Sequence, residues 1–349
     1  MKALVYRGNG VVKLEDKDKP VLKDPTDAIV KIKYTTICGS DLHILHGFVP
    51  TCKEGTTIGH EGVGVIEEIG DGVKAFKQGD TVLISCMWSC ATCKMCRRGL
   101  LSHCEKEEGG WRLGHTNDGT QAEYVRIAMA DSSLHKLPQG VDEKAAVMLS
   151  DILPTGYEVG VLAGDVRPGA TVVVVGAGPI GLSACMTAGL LSPSLLIAID
   201  RDPSRLEVAK QLGATHTIDN SKEDAAAKVK ELTNGAGCDV VIEAVGYPAT
   251  FELCQELVGF GGRIANIGVH GEPAKLHIEK LWGYNIAIHM GFVNTTTTPT
   301  LMRMFEAGTL KPDQLITHEF DLKKDGEQAY ATFGAAAEHK ALKMILTNL

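Results

Sequence analysis

The stretch from Thr171 to Asp200, TVVVVGAGPIGLSACMTAGLLSPSLLIAID, leaves few folds open to this chain. Val172 to Val175 form an unbroken β-branched run, the pattern of a parallel strand covered on both faces. The run stops at Gly176, and Gly176, Gly178 and Gly181 follow in G-x-G-x-x-G spacing. In that pattern the first glycine makes a tight turn, the second lets the backbone approach a pyrophosphate, and the third lets a helix pack close to a strand. Pro179 takes a first-turn position where its missing N–H is tolerated, with Ile180 beside it in the same turn. The helix that opens here directs free N–H groups and a positive dipole end at the phosphates. A second apolar run, Leu195 to Ile199, ends in Asp200, an acid at the offset suited to ribose hydroxyls. A structural turn that merely needs three glycines would explain the spacing alone. The strand before, the helix after and the acid together favour a dinucleotide site.

A chain of 349 residues, 44% hydrophobic with 39 glycines, has material for two ordinary domains rich in α/β turns. Its formal net charge of −8, with no basic block, argues against nucleic acid or an anionic membrane surface as partner. The N-terminal MKALVYRGNG turns polar within a few residues, and no apolar run is read as reaching the roughly 18 residues of a membrane span. No membrane partner and a cytoplasmic location are therefore expected. Disulfides would be out of place there, so four of the ten cysteines falling within fifteen positions point to metal.

Up to about Pro154 the chain shows short alternating runs broken by glycine and polar turns, such as DAIVKIKYTTI, GVGVIEEIG, DTVLISC and AEYVRIA. This is β-rich, barrel-like material. From Thr155 to Asn294 strands and helices alternate: PSRLEVAKQLGA as helix, HTIDN, a polar helix to Leu232, then CDVVIEAVG, GGRIANIG and NIAIHM as strands. That is the pattern of a doubly wound parallel sheet, giving an α/β fold class. The run Thr295 to Thr298 reads as a helix start or loop, LMRMFEAGTL as helical, and ALKMILTNL as a strand or helix returning to the first domain.

Cys90, Cys93, Cys96 and Cys104 form a C-x-x-C-x-x-C-x7-C lobe in the polar loop WSCATCKMCRRGLLSHCEK. Four thiolates complete a tetrahedral site with no open position, so this zinc is expected to be structural. Lys94, Arg97 and Arg98 offset part of its negative charge. Cys86 and His103 are nearby rivals, but the spacing selects the other four.

A further cluster, Cys38-Gly39-Ser40-Asp41-Leu42-His43 and Gly59-His60-Glu61-Gly62-Val63-Gly64, cannot be paired from spacing alone. It resembles the catalytic-zinc motifs of zinc-dependent medium-chain alcohol dehydrogenases. The four-cysteine lobe and the nucleotide fingerprint stand in that family's order across nearly the whole chain. The resemblance implies a GroES-like β-rich catalytic domain, residues 1–154 and 295–349 with the zinc lobe at 86–105, and an inserted Rossmann domain, 155–294. It implies Cys38 and His60 as ligands of a catalytic zinc, so that each chain carries two Zn2+. A catalytic site needs a third protein ligand and one open position. In MLSDILPTGY, Asp151 stands where the horse-liver type has cysteine, as in the secondary-alcohol dehydrogenases and related carbonyl reductases. Read from the sequence alone, an aspartate before a helix is more often an N-cap.

The resemblance also suggests roles for the neighbours. Glu61 is expected behind the ligands or as an exchangeable ligand, against the plainer reading of a buried carboxylate held by a basic neighbour. Asp41 is expected to hold the other nitrogen of His60. Ser40 and His43 resemble the family's proton relay. Thr155 matches a residue that supports the nicotinamide, and Val269 and His270 lie near the expected nicotinamide loop. Cys86 falls at a substrate-pocket position, and Trp111 is read either as a pocket wall or as a core or interface residue. His46, Cys52, His115 and His135 are left as structural or exposed.

Zinc acts as a Lewis acid on the alcohol or carbonyl oxygen while the nicotinamide exchanges hydride. The expected activity is therefore NAD-linked interconversion of alcohols, secondary ones preferred, with ketones or aldehydes. A polyol, threonine or formaldehyde dehydrogenase is the rival within the family. A non-enzymatic binding or lens-type structural protein would have no reason to keep Cys38, His60, Ser40 and His43 together. NAD is expected over NADP because the Asp200 carboxylate would repel a 2′-phosphate. Arg201, next to it, is the kind of residue that receives that phosphate, Arg205 suits either cofactor, and Lys343 is expected to reach the pyrophosphate. The family implies a homodimer or homotetramer.

Overall fold

A computed structural model describes residues 1–349. The chain opens with β1 (Lys2–Tyr6), β2 (Val12–Asp16), β3 (Ala28–Thr36) and β4 (Gly62–Ile69). Next come β5 (Thr81–Ile84), β6 (Tyr124–Ile127) and β7 (Leu134–Lys136). The strands β8 (Thr171–Val175), β9 (Leu195–Asp200), β10 (His216–Asp219), β11 (Cys238–Glu243), β12 (Val258–Asn266) and β13 (Ala287–Met290) alternate largely with helices, and β14 (Ile316–Asp321) and β15 (Lys343–Thr347) close the chain. Two compact units result: Met1–Asp151 with Asn294–Leu349, and Ile152–Val293. The boundaries expected from sequence fall three residues and one residue later along the chain.

The first unit holds a hairpin, β1 with β2, and a seven-stranded sheet in the order β14-β15-β3-β4-β5-β7, with β6 also paired to β3. Val30, Ile32, Ile66, Val82 and Ile84 pack into one core cluster, and Ile29, Val63 and Leu83, which alternate with them along the strands, are buried as well. Pairing of β3 with β4 sets Thr35 opposite Gly62, and pairing with β15 sets Thr36 opposite Ile345. Antiparallel register then brings the residues just beyond these pairs, Cys38, His60, Glu61 and Lys343, to one end of the sheet. ALKMILTNL, open between strand and helix in sequence, is strand β15 for this reason. The helix Leu322–Gly334, which local pattern did not single out, buries Leu322, Ala329, Tyr330 and Phe333 against Leu4, Ile37 and Ile44.

The second unit is a six-stranded parallel sheet in the order β10-β9-β8-β11-β12-β13. The chain winds from β8 through β9 to β10 on one side, then crosses to β11 on the other. In such sheets ligands bind at the carboxyl ends of the strands flanking the reversal, here β8 and β11. All four valines of β8 are at most 1% exposed, as a doubly covered strand requires.

The stretch Glu143–Leu162 is long and apolar enough to cross a membrane by length and composition, which corrects the reading that no run reaches that size. It is 72% buried inside the protein. Ala145 to Leu149 enter the core of the first unit, while Ile152, Leu153, Val159 and Val161 are buried in the second. Its apolarity is thereby accounted for as core.

The fingerprint helix Pro179–Gly189 is seated against the turn that precedes it, and a Cβ on Gly181 would lie 1.8 Å from the Gly176 carbonyl oxygen. No backbone adjustment confined to one residue relieves such a contact. Gly181→Ala is expected to lower stability by about 1–3 kcal/mol or more through overpacking, seen as a lower Tm. Gly271→Ala, where the added methyl meets open space, is the control expected to melt like the parent. Equal melting of both variants would mean the helix does not sit this close.

Candidate metal and nucleotide sites

The sulfurs of Cys90, Cys93, Cys96 and Cys104 all lie within 4.8 Å of one another. The loop folds so that backbone N–H groups face them. Cys93 N donates to Cys90 Sγ at 3.3 Å, Cys96 N to Cys93 Sγ at 3.4 Å, Cys90 N to Cys104 Sγ at 3.3 Å, and Glu105 N to Cys93 Sγ at 3.4 Å. Burial works against ionisation of Cys90, but the Thr92 hydroxyl and the backbone N–H groups of Thr92 and Cys93 outweigh it and lower its pKa to about 6. Donation from Glu105 and Cys96 lowers that of Cys93. Burial pushes Cys96 up to about 12 and Cys104 up as well, so the four thiols do not ionise alike without a cation, and four sulfurs gathered this closely fit a closed zinc site. The rivals lie elsewhere: His103 Nδ1 is 2.9 Å from Ser102 Oγ, and Cys86 lies beside a second group, next to Asp151.

That second group is Cys38, His60, Glu61 and Asp151, again with one possible ligand atom each inside 4.8 Å. Asp151 Oδ2 lies 3.5 Å from Cys38 Sγ and 3.3 Å from His60 Nε2. Cys86 Sγ is 3.6 Å from Asp151 Oδ1. Ser40 Oγ is 3.3 Å from His60 Nε2, and His43 follows one turn later on the helix Gly39–Leu45. Behind the imidazole, Asp41 Oδ1 stands 3.5 Å from His60 Nδ1. Trp111 approaches His60 edge-on with ring centroids 6.0 Å apart and stacks on His115 at 4.6 Å.

The electrostatics are those of a site built for a cation. Burial, then the charges of Asp151 and Glu61, push the thiols of Cys38 and Cys86 up. Burial would depress the His60 imidazole, yet Asp151, Asp41 and Cys38 outweigh it and raise its pKa well above the ordinary range. Protons are drawn into this cluster because its buried anions exceed its cations. A divalent metal relieves the same excess, and a thiolate, an imidazole and a carboxylate are the donor types zinc takes.

Glu61 and Lys343 complete the cluster. The Lys343 ammonium, 1% exposed, donates to Glu61 Oε1 at 2.7 Å and to the Ile37 carbonyl at 3.1 Å. The expectation that Lys343 reaches a pyrophosphate is therefore corrected: its buried donors are committed to Glu61 and Ile37. Glu61, with no exposure, is the carboxylate held by a basic neighbour, and its second oxygen has no hydrogen-bond partner.

On the second unit, Gly178 is the N-cap of the fingerprint helix and Gly176 adopts φ +99°. Asp200 ends β9 and ties it to this turn: Oδ2 accepts from Ala177 N at 2.6 Å and Oδ1 from Asp202 N at 2.9 Å. Arg205 Nε lies 3.7 Å from Asp202 Oδ2, and its Nη1 is 3.9 Å from where a Gly178 Cβ would stand. Arg201 is exposed and Ile180 half-buried. Thr155 lies at the junction of the helix Ile152–Thr155 and the wider-wound turn Gly156–Leu162. Past the ends of β11 and β12, Val245 and Val269 are 41% and 61% exposed, while His270 Nε2 is 2.9 Å from Asn266 Oδ1.

Sequence reasoning missed Gln121 and Tyr330. They lie 209 residues apart, carry no motif, and yet share a hydrogen bond behind Asp41. No spacing rule links them.

Two family models match the chain: the alcohol dehydrogenase GroES-like domain over residues 24–139 and the zinc-binding dehydrogenase over residues 179–307. A zinc-type alcohol dehydrogenase B of Aspergillus flavus is 39% identical, covering 83% of this chain and 69% of that protein. An NADP-dependent isopropanol dehydrogenase of Thermoanaerobacter brockii is 32% identical, covering 92% of both chains. Among solved structures, the apo form of a zinc-dependent alcohol dehydrogenase 2 from Streptococcus pneumonia superimposes with a TM-score of 0.95 at 48% identity, covering 100% of this chain and 98% of that one.

Two outcomes are expected. Cys104→Ser should lower the metal bound per chain and melt earlier than the parent, read by metal analysis and thermal melting, and unchanged metal content and melting would overturn the lobe as a metal site. Lys343→Met leaves the Glu61 charge buried without a partner and should cost about 3–5 kcal/mol in urea unfolding, with Lys343→Arg restoring much of it. A Lys343→Met variant as stable as the parent would show that Glu61 is held as a neutral acid.

Proposed function

The chain belongs to the zinc-dependent medium-chain alcohol dehydrogenases, and from that premise we propose that it interconverts secondary alcohols and ketones with NAD(H) at a zinc held by Cys38, His60 and Asp151. What carries the proposal is that a thiol, an imidazole nitrogen and the Asp151 carboxylate all come within 4.8 Å of one another. When bound, zinc supplies Lewis acidity toward the substrate oxygen and the nicotinamide supplies or accepts hydride.

The side chains around that group have distinct tasks. Ser40 Oγ, beside His60 Nε2, is placed to take the alcohol proton, and His43 to pass it outward. Burial, then the nearby charge of His46, lower the pKa of His43, which keeps its ring neutral and able to accept a proton. The half-buried Trp111 ring, beside His60, and the Cys86 thiol buried behind Asp151 are uncharged neighbours of the ligands, which suits a small alkyl alcohol better than a polyol.

For the cofactor, the Asp200 carboxylate stays at the end of β9 and accepts from two backbone N–H groups. A fixed anion there favours ribose hydroxyls and repels a 2′-phosphate. Arg205 turns toward Asp202, which leaves Arg201 as the basic group next to the acid. Val245 and Val269 give an exposed apolar surface suited to the nicotinamide ring. We propose a homodimer or homotetramer, supported by the exposed Phe260 and Trp282 on the second unit.

Asp151→Ala should abolish turnover and lose one metal per chain with the fold retained, whereas Asp151→Cys should keep metal, since thiolate is also a zinc ligand. Full activity and metal in Asp151→Ala would make that residue a helix cap only. In the parent, NADH formation with 2-propanol or 2-butanol should exceed that with sorbitol or threonine. The ratio of kcat/KM for NAD to that for NADP should be well above one and fall in Asp200→Gly. A parent that prefers NADP, or a ratio unmoved by that substitution, would show that Asp200 does not read the ribose.

A further inference from the structure

Behind His60 the first unit buries a run of polar side chains that no motif announces. Tyr330, on the helix Leu322–Gly334, donates its hydroxyl proton to Gln121 Oε1 at 2.7 Å. Gln121 Nε2 donates to the Thr36 carbonyl and to Asp41 Oδ2, both at 3.1 Å. Asp41 Oδ2 also accepts from Cys38 N at 2.9 Å, while Oδ1 stands 3.5 Å from His60 Nδ1. Tyr330 is 5% exposed, His60 3%, and Gln121 and Asp41 not at all.

Each group has one consistent orientation. Turning the Gln121 amide over would set its oxygen against the Thr36 carbonyl and the Asp41 carboxylate, three acceptors with no proton between them. Tyr330 stays a donor, because burial and then the Asp41 charge raise its pKa well above the ordinary value. Asp41 Oδ1 and His60 Nδ1 have no other partner, so the ring proton belongs on Nδ1. The lone pair of Nε2 then faces Asp151, Cys38 and Ser40.

Packing holds Gln121 as firmly as its hydrogen bonds do. Gly59, which precedes His60, adopts φ +91°, and a Cβ there would lie 2.5 Å from Gln121 Cγ. The segment carrying His60 is thus laid directly on the Gln121 side chain. Tyr330 in turn is set in the core with Leu4, Ile37 and Ile44.

We propose that Tyr330 and Gln121 are positioning residues that hold Asp41, and through it the tautomer and aim of His60, so that a C-terminal helix governs metal retention in the catalytic group. This rests on the reading of His60 as a zinc ligand. Groups that support a ligating histidine typically change metal affinity by about 10–100-fold, and these act one or two bonds further away.

The test is release of zinc from the full-length, two-zinc protein to a chelator, together with the visible spectrum of the cobalt-substituted protein. Tyr330→Phe, which removes only the hydroxyl, should speed release from the Cys38–His60–Asp151 group by about 3–10-fold and shift the cobalt bands. Release from the four-cysteine lobe should not change, which guards against general loosening. Gln121→Leu should act in the same direction and further. In an Asp41→Asn background, Tyr330→Phe should add nothing, since the path to His60 is already cut. Unchanged release and spectra in both variants, equal acceleration at both metals, or a full Tyr330→Phe effect without Asp41 would each overturn the proposal. A parent that binds metal only in the lobe overturns the ligand reading and this one together. Two bound metals with unaltered release overturns the positioning role alone.

Discussion

The antiparallel register of β3 against β4 and β15 is the constraint on which the first unit depends. Once Thr35 faces Gly62 and Thr36 faces Ile345, the positions that follow are no longer independent. A one-residue slip in either pairing would exchange the two faces of a strand and carry a ligand or Lys343 into the core or out to solvent. Shifts in the ladder between Ile29 and Val30 and between Ile32 and Tyr34 adjust β3 without breaking this pairing. The meeting of Cys38, His60, Glu61 and Lys343 is therefore a consequence of sheet pairing, made from three distant stretches of sequence.

Gathering thiol and carboxylate groups out of water is costly unless positive charge comes with them. The chain supplies one such charge in Lys343 and leaves the remainder to protons or metal. The raised pKa values of Cys38, Cys86 and His60 record that remainder. Glu61 and Lys343 form a buried ion pair beside Cys38, His60 and Asp151 and add to the field at that cluster. Behind them, Thr35 and Thr120 both donate to the Glu61 carbonyl, at 2.7 and 2.9 Å, so the backbone at the ligand segment is held as well as its side chains.

The second unit obeys a steric rule where the first obeys an electrostatic one. Its helix can approach the glycine turn only because Gly181 has no side chain, and its N-terminus can face a phosphate only because of that approach. Asp200 then links the turn to β9 through the Ala177 N–H, so the group expected to read the ribose also fixes the loop that would hold the phosphates.

Local pattern determined much of this protein. The valine run and the glycine spacing specify a buried strand, a turn and a helix, because period and backbone freedom act over a few residues. The four cysteines are close in sequence, so their site was legible from spacing alone. Cys38, His60 and Asp151 were legible only through resemblance to a family, since nothing in their spacing says that they meet. Tertiary structure alone decided what Lys343 touches: a lysine in a C-terminal strand gives no local sign that it will be buried 282 residues from its partner. The same holds for Gln121 and Tyr330. A glutamine before a strand and a tyrosine on a helix are ordinary residues until strand register and helix packing enclose them, and only then does the demand that buried polar groups be paired assign them partners.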